Sequence, residues 1–185
     1  WCFRCGIRCV TVYAFSVENF KRPVDEVETL MQLAGEKLRR LGEESRMVRE
    51  NEVGIRVIGE LEMLPVEVKE AALTAMRATA KYRRFTLNIC FPYVSKLEMV
   101  AAGRTYKQLC GQPELACYSR EQLLASGLYT VDAPPVDILI RTSGEWRLSE
   151  FLLLQLVNSP RCQFEFLQVM WPAMTVWHFL WILLR

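Results

Sequence analysis

Histidine is nearly absent from this chain: 185 residues contain one, His178. A structural zinc site of four Cys and His ligands therefore has little imidazole to draw on. No Walker loop or dinucleotide-type glycine pattern occurs, which argues against a nucleotide-binding α/β domain. Repeats and low-complexity stretches are missing, and Lys and Arg form no basic tract interleaved with aromatics. With a formal net charge of only +2, nucleic acid is excluded as the expected partner, and any anion must be gripped locally. One long apolar stretch exists, residues 166–184, but Gln168, Pro172 and His178 interrupt it and it is barely long enough to span a bilayer. A last strand through about Val169 followed by a buried helix from about Met174 explains it at lower cost, with an interfacial or partner-binding helix as a further reading of its aromatic density. An initiator Met is also lacking. The chain starts at Trp1, as expected of a fragment whose targeting signal would lie elsewhere.

What is present describes one globular domain, residues 1–185, since 51% of the residues are hydrophobic and a chain of this length buries a sizeable core. Seven cysteines, an odd and scattered set, fit reduced thiols better than a disulfide scaffold. Cys2, Cys5 and Cys9 lie close enough to suggest metal ligation; ordinary half-buried thiols are the simpler reading.

Strand and helix signals alternate. Residues 10–15 (VTVYAF), 55–58, 85–91 (FTLNICF) and the β-branched run 136–140 read as strands. Pro23 opens a helix to about Leu41 with Val27, Leu30, Met31, Ala34, Leu38 and Leu41 at helical spacing, and Pro65 opens another to about Tyr82. Residues 96–110 read as helix, and Ser119 caps a short one stopped by Gly127. This βαβα order predicts an α/β fold: a mostly parallel central sheet with helices on both faces, joined by right-handed crossovers.

Two polar clusters sit at expected strand ends. The first is DILIRTSGEWRLS, where the run 136–140 empties into Arg141, Thr142, Ser143, Gly144, Glu145 and Arg147, with Ser149 in the position of an N-cap before a helix at residues 151–156. Arginine forks match phosphate oxygens, and ligands of open α/β sheets bind beyond the carboxyl ends of the strands, where helix N-termini also offer free N–H groups. The second, SVENFKRP, follows residues 10–15, so on one parallel sheet both loops would open on the same edge and face one cleft. The plain alternative for each arginine is a solvated loop charge.

Together FSVENFKRP and DILIRTSGEWRLSEFLL, with IRVIGELEMLP, LNICFPYVSK and VMWP between and after them, resemble the cis-prenyltransferase family, which includes undecaprenyl diphosphate synthase, and within it the eukaryotic, dehydrodolichyl diphosphate synthase branch. The resemblance implies a Mg-dependent transferase that condenses isopentenyl diphosphate onto an allylic diphosphate such as farnesyl diphosphate, building a cis-polyprenyl chain for dolichol and hence protein glycosylation. Carried over by motif, Arg141, Arg147 and Ser149 would hold the diphosphate of isopentenyl diphosphate. Ser16 and Asn19 would be catalytic and lie with Arg22 by the reacting ends of the substrates, and Glu26 would face the same cleft. Fixed cations and donors suit the charge that grows on a departing diphosphate, and Mg would act there as a Lewis acid. An apolar tunnel for the growing chain has Leu30, Met31, Leu33, Ile89 and Phe91 as candidates, each equally explained by core packing.

The resemblance also has gaps. Relatives begin with a strand and a loop of the type MDGNGR whose Asp holds Mg; here WCFRCGIRCVTV already matches the segment entering the family's second strand, so that first βα unit and its Mg-binding Asp are expected to be missing. Leu154 stands where the family has Trp, residues 157–165 run longer than in relatives, and no metal-binding Glu of the bacterial type aligns. Eukaryotic relatives work with a non-catalytic subunit resembling the Nogo-B receptor, which implies such a partner here, membrane association through it, and a peripheral position on the cytosolic face of the endoplasmic reticulum. The competing expectation is a truncated, inactive isoform that retains only partner binding.

Overall fold

Alternation of strand and helix is preserved in the computed structural model, which describes residues 1–110, 112, 115 and 117–185. The chain divides into two compact units, Cys2–Ala133 and Pro134–Arg185, the second including Trp1. In the larger unit β1 (Cys9–Tyr13), β2 (Val53–Ile58) and β3 (Phe85–Cys90) form a parallel sheet in the order β1-β3-β2. Val12 and Val57 both register with Ile89 of the central strand. Parallel neighbours need crossovers, and helices supply them. α1 (Val24–Arg39), a π-helical turn at Arg40–Glu44 and α2 (Arg46–Glu50) join β1 to β2, and α3 (Val66–Thr79) joins β2 to β3. Pro23 and Pro65 stand at the N-cap, one residue earlier than the sequence suggested.

Side-chain alternation sets the layers. Val53, Ile55 and Val57 of β2 are buried with Phe85 and Ile89 of β3 against Met31 and Leu38 of α1 and Val68, Ala71 and Ala72 of α3. Each large aliphatic or aromatic group removed from water in this way contributes about 1.5–3 kcal/mol. Small alanines let α3 come close enough for Thr79 Oγ1 to accept from the Ile55 N–H at 3.0 Å. Of the tunnel candidates, Met31, Ile89 and Phe91 are buried in this core, Leu30 is half-buried beside it, and Leu33 is exposed. After β3 come α4 (Ser95–Leu109) and α5 (Arg120–Ala125), the latter opened by the Ser119 capping box.

The smaller unit pairs β4 (Ile138–Arg141) with β5 (Gln163–Phe166), also in parallel, across α6 (Leu153–Val157). β5 ends earlier than the expected Val169. α7 (Val176–Leu183) is capped by Thr175, whose hydroxyl accepts from the His178 N–H while His178 Nδ1 accepts from the Thr175 N–H at 3.1 Å. It buries Phe179 and Ile182 and leaves Trp177 and Trp181 exposed, so it is buried on one face only. Among the described residues no helix is long and apolar enough to cross a membrane.

Candidate active site

The loop after β1 is shaped by its own side chains. Ser16 caps a 3₁₀ helix, Val17–Lys21: its hydroxyl accepts from the Glu18 N–H at 3.2 Å, and Asn19 Oδ1 accepts from the Ser16 N–H at 2.9 Å. Ser16 and Asn19 are thus brought together, as a reciprocal cap. Arg22 lies one turn on and pairs with Glu26 at 2.6 Å, both about half exposed, a geometry worth a few tenths of a kcal/mol. Phe20 packs edge-on against buried Phe15, with ring centroids 5.0 Å apart, which anchors the loop to the core. The loop's polar atoms are therefore presented on a fixed frame.

That frame extends to residues with no place in the sequence reading. Tyr93, completely buried, bridges to Ser16 in parallel register: its N–H donates to Phe15 O at 3.0 Å, and its carbonyl accepts from the Val17 N–H at 3.3 Å and from Tyr13 Oη at 2.9 Å. The Tyr93 hydroxyl donates to Glu98 Oε2 and contacts Ser95 Oγ at 3.1 Å. Glu98, on α4 and 1% exposed, accepts at its other oxygen from the Tyr129 N–H at 2.8 Å, and the Tyr129 hydroxyl donates to Glu60 Oε1 at 2.6 Å. Glu60 N–H in turn donates to Pro92 O at 2.8 Å. Burial first, then the neighbouring Glu98 carboxylate, pushes the Tyr93 hydroxyl far above the usual phenol range, and it acts as a neutral donor. The signal was available: Ser95, Glu98 and Ala102 fall on one face of α4 at helical spacing, and all are buried. A carboxylate at a core position of an amphipathic helix demands partners.

Gly59 closes the same corner. Its φ of +136° suits glycine alone, and a Cβ there would lie 2.0 Å from Pro92 O.

The second loop follows β4. Arg141 is the last strand residue; its carbonyl accepts from the Leu167 N–H at 2.8 Å, and its Nε is buried without a hydrogen-bond partner. A buried, unsatisfied donor costs about 1–3 kcal/mol, and an anion's oxygens are the natural complement to a guanidinium. Arg147 is exposed and ion-paired with Glu145. Backbone bonds from Ser143 N to Val169 O and from Gly144 N to Leu167 O, 2.8 and 2.9 Å, fix the turn. Ser149 is not a helix cap. It has φ of 49°, Glu150 and Leu152 are left-handed as well, and an N-cap needs extended backbone; the helix starts only at Leu153, without a side-chain cap. The expected anion-binding helix start at Ser149 is thus absent, and Ser149 belongs to a left-handed turn.

Among the described residues no group of three or more His, Cys, Asp or Glu side chains converges as a metal site. Cys2, Cys5 and Cys9 are free thiols. Burial pushes Cys2 and Cys9 upward, and Cys9 Sγ accepts from Asn88 Nδ2 at 3.6 Å.

Against known proteins, the family model described as "Putative undecaprenyl diphosphate synthase" matches residues 1–185. The human dehydrodolichyl diphosphate synthase complex subunit is 46% identical over 179 residues, 96% of this chain and 53% of its own length. The tritrans,polycis-undecaprenyl-diphosphate synthase (geranylgeranyl-diphosphate specific) of Pyrococcus abyssi is 45% identical over 86% of this chain and 60% of its own. This chain therefore spans little more than half the length of these curated relatives. A probable undecaprenyl diphosphate synthase from Campylobacter jejuni superposes with a TM-score of 0.80 at 27% identity, covering 98% of this chain and 81% of that one. Lavandulyl diphosphate synthase from Lavandula x intermedia, solved with dimethylallyl diphosphate, gives 0.81 at 26%, over 96% of this chain and 75% of that one. The α/β fold with parallel strands, the two strand-end motifs and a match running the whole length of the chain place it in the undecaprenyl diphosphate synthase, or cis-prenyltransferase, family.

Proposed function

We propose that this chain acts in a cis-prenyltransferase reaction that condenses isopentenyl diphosphate with an allylic diphosphate such as farnesyl diphosphate to lengthen a cis-polyprenyl chain, and that residues 1–185 act as one domain in it. One observation carries this reading: both motifs stand at the carboxyl ends of parallel strands, where α/β folds bind ligands. In the proposed reaction Arg141 and Arg147 hold the diphosphate of isopentenyl diphosphate, with Ser149 beside them. Arg141 already has a buried donor to satisfy; Arg147 must exchange Glu145 for the ligand. Ser16 and Asn19, locked by their mutual cap, orient the reacting ends, and Arg22, released from Glu26, stabilises the allylic leaving group. Mg, when bound, would neutralise the charge of the diphosphate, and among the described residues no group of three or more His, Cys, Asp or Glu side chains gathers to hold it.

The human relative's name describes a complex subunit, which supports a heteromeric assembly here. The proposal extends to a non-catalytic partner resembling the Nogo-B receptor, membrane association through that partner on the cytosolic face of the endoplasmic reticulum, and a dolichol product feeding protein glycosylation. Full-length protein assembled with its partner is expected to incorporate labelled isopentenyl diphosphate into a polyprenyl product with farnesyl diphosphate as acceptor. Failure of the assembled complex to do so, with Mg present, overturns the reading.

A further inference from the structure

We propose that Glu98 is a positioning residue: from inside the protein it fixes, through Tyr93, the conformation of the Ser16–Asn19 loop, and through Tyr129 it ties that loop to the segment after β2. The inference rests on the function proposed above, since it assigns Glu98 a part in that reaction without contact to substrate.

The geometry runs in one unbroken path. Tyr93 is hydrogen-bonded by its backbone to both sides of Ser16, at Phe15 O and Val17 N, so any tilt of Tyr93 moves the cap that joins Ser16 to Asn19. Its ring is prevented from tilting at the far end, where the hydroxyl is held by Glu98 Oε2 and Ser95 Oγ. The second Glu98 oxygen takes the Tyr129 N–H, and the Tyr129 hydroxyl reaches Glu60 after β2. Three loops leaving β1, β2 and β3 at their carboxyl ends thus share one buried carboxylate. A residue needed only to fill space at this position would be apolar, because a buried carboxylate carries a large desolvation cost. What the carboxylate adds is two acceptors at fixed directions, and displacing a reacting group by about 1 Å is enough to slow an enzyme about 100-fold.

The test uses full-length protein with its partner and compares Glu98→Ala, Glu98→Gln and Tyr93→Phe with Val48→Ala, a buried core substitution on α2. Gln keeps an acceptor for the Tyr129 N–H and a group to meet the Tyr93 hydroxyl. The expected result is a fall in kcat/KM for isopentenyl diphosphate of about 10-fold or more for Glu98→Ala and Tyr93→Phe, recovery for Glu98→Gln, and little change for Val48→Ala at comparable melting temperature. Hydrogen exchange at the Val17 and Asn19 amides should rise with Glu98→Ala and not with Val48→Ala, independently of activity. Equal losses for Glu98→Ala and Val48→Ala, or unchanged exchange at Val17, would overturn the proposal. An inactive wild-type complex would instead overturn the proposed reaction, leaving the exchange experiment to decide on Glu98. If Glu98→Ala does not fold, Tyr93→Phe, which removes only the hydroxyl, decides the kinetic arm.

Discussion

In the Cys2–Ala133 unit the loop after the first strand is held by side-chain caps and packing added to its backbone bonds with Tyr93, whereas in the Pro134–Arg185 unit the loop after β4 is tied by backbone bonds to the segment after β5. Ser16 and Asn19 cap each other, Phe20 packs on Phe15, and Tyr93 with Glu98 braces them from within. Ser143 and Gly144 donate instead to the Val169 and Leu167 carbonyls, and the chain then passes through left-handed residues at Ser149, Glu150 and Leu152. The first arrangement makes geometry insensitive to what is bound. The second stores local strain of the order of 1–3 kcal/mol per residue and leaves the Arg141 Nε donor unpartnered while Arg147 is paired with Glu145. The roles proposed above fit this contrast, since orienting reacting ends profits from the first arrangement and gripping and releasing a diphosphate from the second.

Substitutions can break or sharpen this contrast. Arg141→Ala in the assembled enzyme should have the largest effect, lowering kcat/KM for isopentenyl diphosphate by about 100- to 1000-fold with unchanged circular dichroism; normal turnover would remove Arg141 from the site. Gly59→Ala should destabilise the larger unit by about 3 kcal/mol, since it adds a Cβ against Pro92 O at a φ closed to alanine, a result read from denaturant midpoints. Asn19→Ala, which uncaps Ser16, should cost about 1 kcal/mol and slow turnover. Gly144→Ala should cost about 1 kcal/mol, less than Gly59→Ala despite its own positive φ, because the atom it meets is the movable end of Gln168. Trp177→Ala, at 76% exposure, should stay within about 0.5 kcal/mol. Equal costs at Gly59 and Gly144 would show that contact with the Pro92 carbonyl is no more restrictive than contact with the Gln168 side chain.

Much of this was legible in the residues. Periodicity located the helices to within a few positions, Ser119 announced its capping box, and the strand-end clusters fell where the motifs put them. Ser149 misled because serine before an apolar run is a common N-cap, and nothing in the residue types signals three left-handed backbones in a row of four. Asn19 was visible as a motif residue but not as the acceptor for Ser16 N–H, which depends on a 3₁₀ turn. The Glu98 relay was legible only in part: the spacing of α4 marks Glu98 as a buried carboxylate near Tyr93, but Tyr129 and Glu60 lie far from it in sequence, and only the fold brings them to it. The aromatic tail 166–184 read as buried because it is apolar, yet α7 is too short to hide more than one face.

The distribution of tryptophan that follows from that tail has an optical consequence. All five tryptophans, Trp1, Trp146, Trp171, Trp177 and Trp181, belong to the smaller unit, and each is more than half exposed. The Cys2–Ala133 unit contains none. Indole emission is therefore a private reporter of residues 134–185 with Trp1: it starts red-shifted in the native state, and it is blind to melting of the Ser16 loop and its supports. Far-ultraviolet dichroism sees both units. Where the two signals melt at different temperatures, the difference measures the cooperativity between the units directly, without a label or a substitution.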